Sequence, residues 1–403
     1  MTRKGGLIGS FDPLRVSTAP RFVSAIDSST QVIFSFLEPL DYHGDLSGYV
    51  VTAYPVSGGN SVGTSGGGSP ITLTGLTNDT SYYVTVAATN QHGVGTPTAP
   101  YLIHPNSGRW YGTRGVAAGG STGSNSNIID YVTIASLGDA TDFGDLATSG
   151  VVGDGATSSG SRGVIGARSD TATQMDYITI ASTGNGTDFG DLSVARNEVA
   201  ASGNGVRGIF MGGDVNPSPY HSNVIDYITI ASTGDATDYG DLGGVRSESA
   251  GTHGITRGLI AGGAGSSVNY LNIIEYITIA STGNSVDFGD LTYGTREKSG
   301  TSNQTRAIFV GGIGTSSVTY RNYVEFVEIA STGNGTDFGE TALSQSYPAA
   351  FTDSCTAVLA GGRNGSNEYD IIQHIKIHSL GQFIDSAGDL TSARYGCAGL
   401  AGS

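Results

Sequence analysis

The chain has 403 residues, and its 35 acidic against 19 basic side chains give a formal charge of −16, which excludes nucleic-acid binding through a clustered basic face. Glycine occurs 64 times, charged residues make up only 13%, and no helical i, i+3, i+4 apolar pattern persists, so an all-β protein with many tight turns is expected. The sequence lacks the apolar run of about 18 residues that a spanning helix needs, and the opening MTRKGGLIGSFDPL lacks the apolar stretch of a secretory leader, so neither membrane insertion nor ordinary secretion is expected.

Residues 1–17 form an N-terminal arm with three positive charges and two glycine-rich turns. They carry too few apolar side chains to fold alone, and the arm is expected to order only on a partner. Between residues 18 and 106 the texture changes. Gln31 to Phe36, Gly48 to Tyr54, Ile71 to Leu73 and Tyr82 to Ala87 alternate as half-buried strands do, with Pro39, Gly44-Asp45 and Gly58-Gly59-Asn60 between them. Seven short strands over roughly ninety residues is the size of a β-sandwich. The segment LTGLTNDTSYYVTVAATNQHGVG resembles the fibronectin type III family, with Tyr82 as its tyrosine-corner residue, alternating Val84 and Val86, then Ala88, Asn90 and Gly93. The family's strand-B tryptophan is missing, and Phe36 takes its place in this reading. No RGD-type loop is present, so integrin binding does not carry over.

From residue 107 to 403 one core returns six times, as in QMDYITIASTGNGTDFGDL and VIDYITIASTGDATDYGDL. Its ring positions are Tyr131, Tyr177, Tyr227, Tyr276, Phe326 and His374, at steps of 46 to 50 residues. That period, with strand-like alternation and glycine-rich turns, predicts the blades of a β-propeller. Ahead of each core lies an apolar strand such as Arg207-Gly208-Ile209-Phe210-Met211 that ends in a glycine pair in five of the six repeats, and the combination resembles the kelch repeat. The double glycine allows a sharp turn where a Cβ would obstruct its neighbour. The core reads as a hairpin, and a weaker small-residue strand follows it, making four strands per blade. The stretch from Leu390 to Gly399 matches that small-residue strand but has no later blade to join. It is therefore expected to pair with the first blade and close a six-bladed ring.

Chemistry is sparse in this pattern. The turn Gly138 to Asp145 superficially resembles a calcium loop but lacks the ligand spacing, and its aspartates are expected to accept backbone N–H bonds in their own turns. The arginines that open the glycine-ended strands recur together with the hairpin aspartates, which suggests salt bridges between blades. The seven histidines, at 43, 92, 104, 221, 253, 374 and 378, occupy unrelated repeat positions, and His374 and His378 share one strand face in this reading. Cys355 and Cys397 are too few for a disulfide framework, and the sequence leaves open whether they pair. No activated nucleophile, acid–base pair, metal set or cofactor motif is recognisable, so no catalytic residue, metal or cofactor is assigned. Tyr220, Tyr270, Tyr320 and Tyr369 lie seven or eight residues beyond the second glycine of their repeats, and as loop residues on a propeller rim they are the candidate ligand-binding side chains.

The tandem YITIASTGNxTDFGDL repeats beside a fibronectin-like module resemble structural proteins of tailed bacteriophages, especially those of marine bacteria. That resemblance implies a non-enzymatic virion component, tail-associated or decorating, assembled in the host cytoplasm and present in many copies. Residues 1–106 would meet other virion proteins, and the propeller would face a host-surface glycan or protein. The alternatives from other classes are a carbohydrate-active propeller enzyme and a bacterial surface adhesin.

Overall fold

A computed structural model describes residues 15–28, 30–77, 80–103, 105, 110–150, 153–166, 168–169, 171–216, 220–314 and 319–402. Positions 1–14 of the arm, His104, Arg109 and Ala167 fall outside them. Among the described residues all regular structure is β-strand, and no helix is present to cross a membrane. The chain divides into two compact units, Met1–Ser107 and Gly108–Ser403.

The first unit is a pair of sheets. Arg21–Ser28, Gln31–Leu37 and Ile71–Thr74 form one; Val62–Gly66, Leu46–Pro55, Tyr82–Asn90 and Gly93–Val94 form the other, with Tyr101–Ile103 also on Tyr82–Asn90. Alternation turns Val32, Phe34 and Phe36 from one sheet and Tyr49, Val51, Val84 and Val86 from the other into a common core. Each such side chain contributes about 1.5–3 kcal/mol by leaving water. Phe36 lies with its ring 4.6 Å from that of Tyr49, filling the central position expected of it. The hydroxyl of Tyr82 accepts the N–H of Thr77 at 3.0 Å, which ties the corner to its strand.

Among the described residues the second unit holds six main sheets, each built on four antiparallel strands, and three smaller sheets of two or three strands. In the third, the order from outside to inside is Thr237–Arg246, Ser222–Thr229, Arg207–Met211 and Val199–Gly203. The first and third of these carry the GDL hairpin and glycine-pair sequences, and the innermost is the small-residue strand, which the chain enters after leaving the preceding sheet. In the first sheet that innermost place is taken by Ala398–Gly402, paired with Arg114–Ala118 from Ala398↔Ala118 to Gly402↔Arg114. Every sheet is an open ladder, and two gain a short parallel strand, Gly153–Asp154 on Val199–Gly203 and Gly381–Gln382 on Thr336–Glu340.

The six inner strands, Ala156–Ser158, Val199–Gly203, Ala250–Thr252, Ser299–Ser302, Ala349–Thr352 and Ala398–Gly402, each touch the next, and the last touches the first. Small residues allow that approach. A Cβ on Gly300 would stand 2.4 Å from the carbonyl oxygen of Gly251 in the neighbouring strand. The glycine pair serves the same crowding at the other strand end: Gly212 has φ 64°, and a Cβ there would lie 2.5 Å from the Arg246 carbonyl.

The arginines do not reach the hairpin aspartates. Arg114, Arg162, Arg207, Arg257 and Arg306 instead sit over the ring of Tyr131, Tyr177, Tyr227, Tyr276 and Phe326, with the guanidinium carbon 4.3 to 4.5 Å from the ring centre. From there each donates to a carbonyl of the following sheet, as Arg207 does to Ile279 at 2.8 Å. A planar cation gains both a ring face and a backbone acceptor this way, which a surface ion pair in water would not match. Only Arg306 also meets a carboxylate, Glu328, at 3.0 Å.

The turn asparagines and aspartates likewise act between sheets. Asn185, Asp235, Asn284 and Asn334 each offer Oδ1 to the amide of Asp145, Asp191, Asp241 and Asp290 in the sheet before, at 3.0 to 3.1 Å. Asp139 gives the same bond to Asp389 at 3.3 Å, joining the sixth sheet to the first. Asp337 and Asp385 keep to the expected local pattern, accepting the amides of Gly339 at 3.1 Å and Ala387 at 2.9 Å.

Candidate functional site

At the inner end of each sheet one residue takes the left-handed conformation: Gly153 (φ 64°), Glu198 (52°), Glu248 (56°), Glu297 (55°), Tyr347 (52°) and Gly396 (67°). Their backbones are strung together. Glu248 N–H donates to Glu198 O at 3.2 Å, Glu297 to Glu248 at 2.9 Å, Tyr347 to Glu297 at 3.0 Å, Gly396 to Tyr347 at 3.0 Å and Gly153 to Gly396 at 3.2 Å. Glycine takes this conformation without steric penalty, whereas a side chain there costs about 1–2 kcal/mol. Four of the six positions accept that cost, and the result is three glutamates and a tyrosine gathered round one centre.

Asp214 joins them from the loop after the third sheet's glycine pair. One carboxylate oxygen from each of Glu198, Asp214 and Glu248 lies within 4.8 Å of the other two. Two guanidiniums answer part of this charge: Arg296 meets Glu248 at 3.2 Å, and Arg363 grips Glu297 at 2.7 and 3.3 Å. His221 Nδ1 stands 2.8 Å from Asp214 Oδ1 and 3.0 Å from Ser247 Oγ. Burial, followed by the surrounding carboxylates, holds the Glu198 carboxyl well above its ordinary value. Glu248 is pushed up to about 7, first by burial, with Arg296 pulling the other way. The buried phenol of Tyr347 is raised by the same desolvation and by all four acids.

Beneath this ring, Asp154 projects between the inner strands and accepts the amides of Gly251 (3.0 Å) and Gly300 (2.8 Å) through one oxygen. Desolvation lifts its carboxyl to about 8. Trp110 packs among the same strands, donating to the carbonyl of Ser302 at 3.3 Å and stacking on His253. Burial drops His253 to about 4, so it is a neutral packing residue.

The candidate tyrosines do not share one position. The N–H that closes each loop onto the second glycine belongs to Ser222, Leu271, Arg321 and Tyr369. Tyr220 therefore precedes that closing residue by two, Tyr270 and Tyr320 by one, and Tyr369 is the closing residue itself. Counting from the glycine misses this because the loops differ in length. Tyr220 is the most exposed, at 63%, and sits at φ 65°. Tyr270 lies under Arg296, with its ring centre 5.7 Å from the guanidinium carbon. Arg296 thus links that tyrosine to Glu248.

The other histidines stay apart from this site. His374 is half-buried and bonds Ser386 at 2.9 Å, while its strand ends at Lys376, so His378 lies beyond it and meets Asn303 at 3.3 Å. The expected shared strand face is absent because the strand stops two residues short. Cys355 and Cys397 are both buried, and the Cys397 sulfur accepts from Arg394 at 3.3 Å.

Residues 18–103 match the fibronectin type III domain family. This segment is a fibronectin type III domain. No curated protein matches the chain. On the surface of the fibronectin type III domain, Tyr54 and Tyr83 pair across adjacent strands and are 49% and 44% exposed, an aromatic patch of the kind that protein contacts use.

The acidic centre was not recognised in the sequence. Its signal was available: Glu198, Glu248 and Glu297 recur at steps of 50 and 49 residues in the segment that follows each GDL turn. A strand periodicity search passes over them, since each sits at a single left-handed residue.

Proposed function

We propose that this protein is a non-enzymatic structural and binding component of a tailed-bacteriophage particle. Its C-terminal unit is read as a six-bladed, kelch-like β-propeller whose ring is closed by Ala398–Gly402, with the fibronectin type III domain as the adaptor that holds it on the virion. Fibronectin type III domains serve as interaction and spacer modules, which favours the structural role. The observation that carries the reading is the surface of the second unit, where successive sheets contribute one inner-end residue each and the loops add Tyr220, Tyr270, Tyr320 and Tyr369. Tyrosine supplies rigid contact area with a polar tip, suited to glycans and protein surfaces. A weak contact of this kind gains strength when many copies act together.

The test is a pair of fragments, 1–107 and 108–403, offered separately to particles lacking this protein and to host cells. Retention of the first by particles and of the second by cells is the expected result. Binding of the second fragment to particles, with none of the first, reverses the orientation. Release of reducing sugar from host polysaccharide by the intact protein, lost on substituting a carboxylate of the acidic centre, replaces the structural role with the carbohydrate-active one.

A further inference from the structure

We propose that the acidic centre of the second unit is a binding site for one hard divalent cation of the calcium class, held by Glu198, Asp214 and Glu248 with the Tyr347 hydroxyl beside them. The site is independent of the virion reading, and neither depends on the other.

Geometry comes first. Three carboxylate oxygens from three separate chain segments converge within 4.8 Å, close enough for one ion to touch all three. The donors are oxygens throughout, the set that calcium and magnesium prefer over the softer transition metals. Carboxylates brought together without a cation repel, and a cluster of acids alone would be an unremarkable surface feature.

Two buried atoms point to something more. The Tyr347 hydroxyl is buried and makes no hydrogen bond, although its side chain is only 3% exposed and its phenol senses Glu198, Glu248, Glu297 and Asp214. Oε2 of Glu248 is buried and equally without a partner, since Arg296 occupies only Oε1. A buried hydroxyl or carboxylate oxygen left unpaired has lost its water without a replacement partner, so each invites a ligand. A single cation at this point satisfies both.

Charge favours a cation of this kind. Four carboxylates face the centre, and two guanidiniums answer two of them. Arg363, with Ser346 at 2.7 Å, engages both oxygens of Glu297 and removes it from the donor set. Arg296 balances Glu248. Glu198 and Asp214 have no guanidinium of their own, so the centre stays acidic, which suits a divalent cation. His221, bonded to Asp214 from the outer side, fixes the carboxylate in the way that outer partners orient metal ligands.

The experiment uses the full-length protein stripped with chelator and titrated with calcium, with magnesium in parallel, by calorimetry. One equivalent bound per chain and a melting temperature that rises with calcium are expected. Glu198→Gln and Asp214→Asn should each weaken calcium about tenfold or more. Terbium luminescence, sensitised by a neighbouring phenol, should fall in Tyr347→Phe even if the carboxylate variants fold poorly. The proposal is overturned if the stripped, folded wild-type protein shows neither calcium heat nor a melting shift. It is equally overturned if binding persists unchanged in Glu198→Gln and Asp214→Asn, which would place the ion elsewhere.

Discussion

The carboxylate of Asp226 stands 2.9 Å from the guanidinium of Arg196, and neither side chain has any exposed surface. The same pair recurs as Arg246 with Glu275 at 2.9 Å and Arg394 with Asp130 at 3.0 Å. In each case the acid immediately precedes the core aromatic and the base opens the inner segment, so the pair ties a sheet's second strand to the connection behind it. Removing one partner leaves a buried charge unanswered. Asp226→Asn is expected to cost about 3–5 kcal/mol in urea unfolding, whereas the double change Asp226→Leu, Arg196→Met should recover most of that loss. A double variant no more stable than the single one would show that the pair holds the fold through something other than mutual neutralisation.

The stacked arginines give a milder expectation. Arg207 lies 4.3 Å above the Tyr227 ring and donates to Ile279. Arg207→Lys keeps the charge and loses the planar stack, with an expected destabilisation of about 1 kcal/mol. A double-mutant cycle with Tyr227→Leu should return a coupling near that value, and a coupling of zero would reduce the stack to incidental packing.

Stability should fall as pH rises. Asp154 titrates near 8 in the folded chain against an ordinary carboxyl value of 3.8, and burial is the cause. Between those limits the folded state holds a proton that the unfolded chain has released, so the contribution is complete below about pH 4 and lost above about pH 8. Glu248, raised to about 7, acts in the same direction. The melting temperature measured without divalent cations should be higher at pH 5 than at pH 8. Asp154→Asn retains an acceptor for the amides of Gly251 and Gly300 while removing the titration, so it should flatten that slope.

Deleting residues 398–403 strips the first sheet of its inner strand and uncovers Val116 and Ala118, both fully buried. The expected outcome is aggregation, or a broad unfolding transition with a lower midpoint, read by light scattering and circular dichroism. An unchanged melting curve in a monomeric deletion would remove the structural part assigned to that strand.

What the sequence discloses depends on how local the determinant is. Val32, Phe34, Tyr82 and Val84 announce their burial by alternation, and the Tyr82 hydrogen bond spans only five positions. The hairpins are equally local. The arginines were legible as a repeated feature but not in their partners, because stacking on Tyr227 and bonding to Ile279 depends on the register between strands and on the next sheet. Glu198, Glu248 and Glu297 are further removed still. They come together only because the inner strands of successive sheets lie against one another, and no short-range pattern encodes those contacts.

The hairpin turns have a consequence for how the chain finds its arrangement. Asn185, Asp235, Asn284 and Asn334 make one bond to one amide, four times over. Such joints are interchangeable, and a partly folded chain meets several docking partners of equal strength. Sequence adjacency decides among them, since the nearest sheet costs least in loop closure. One joint is unlike the rest: the parallel strand Gly381–Gln382 on Thr336–Glu340. It acts as a key, marking where the run of look-alike units stops, and substitutions there should scramble the order of assembly rather than weaken any one sheet.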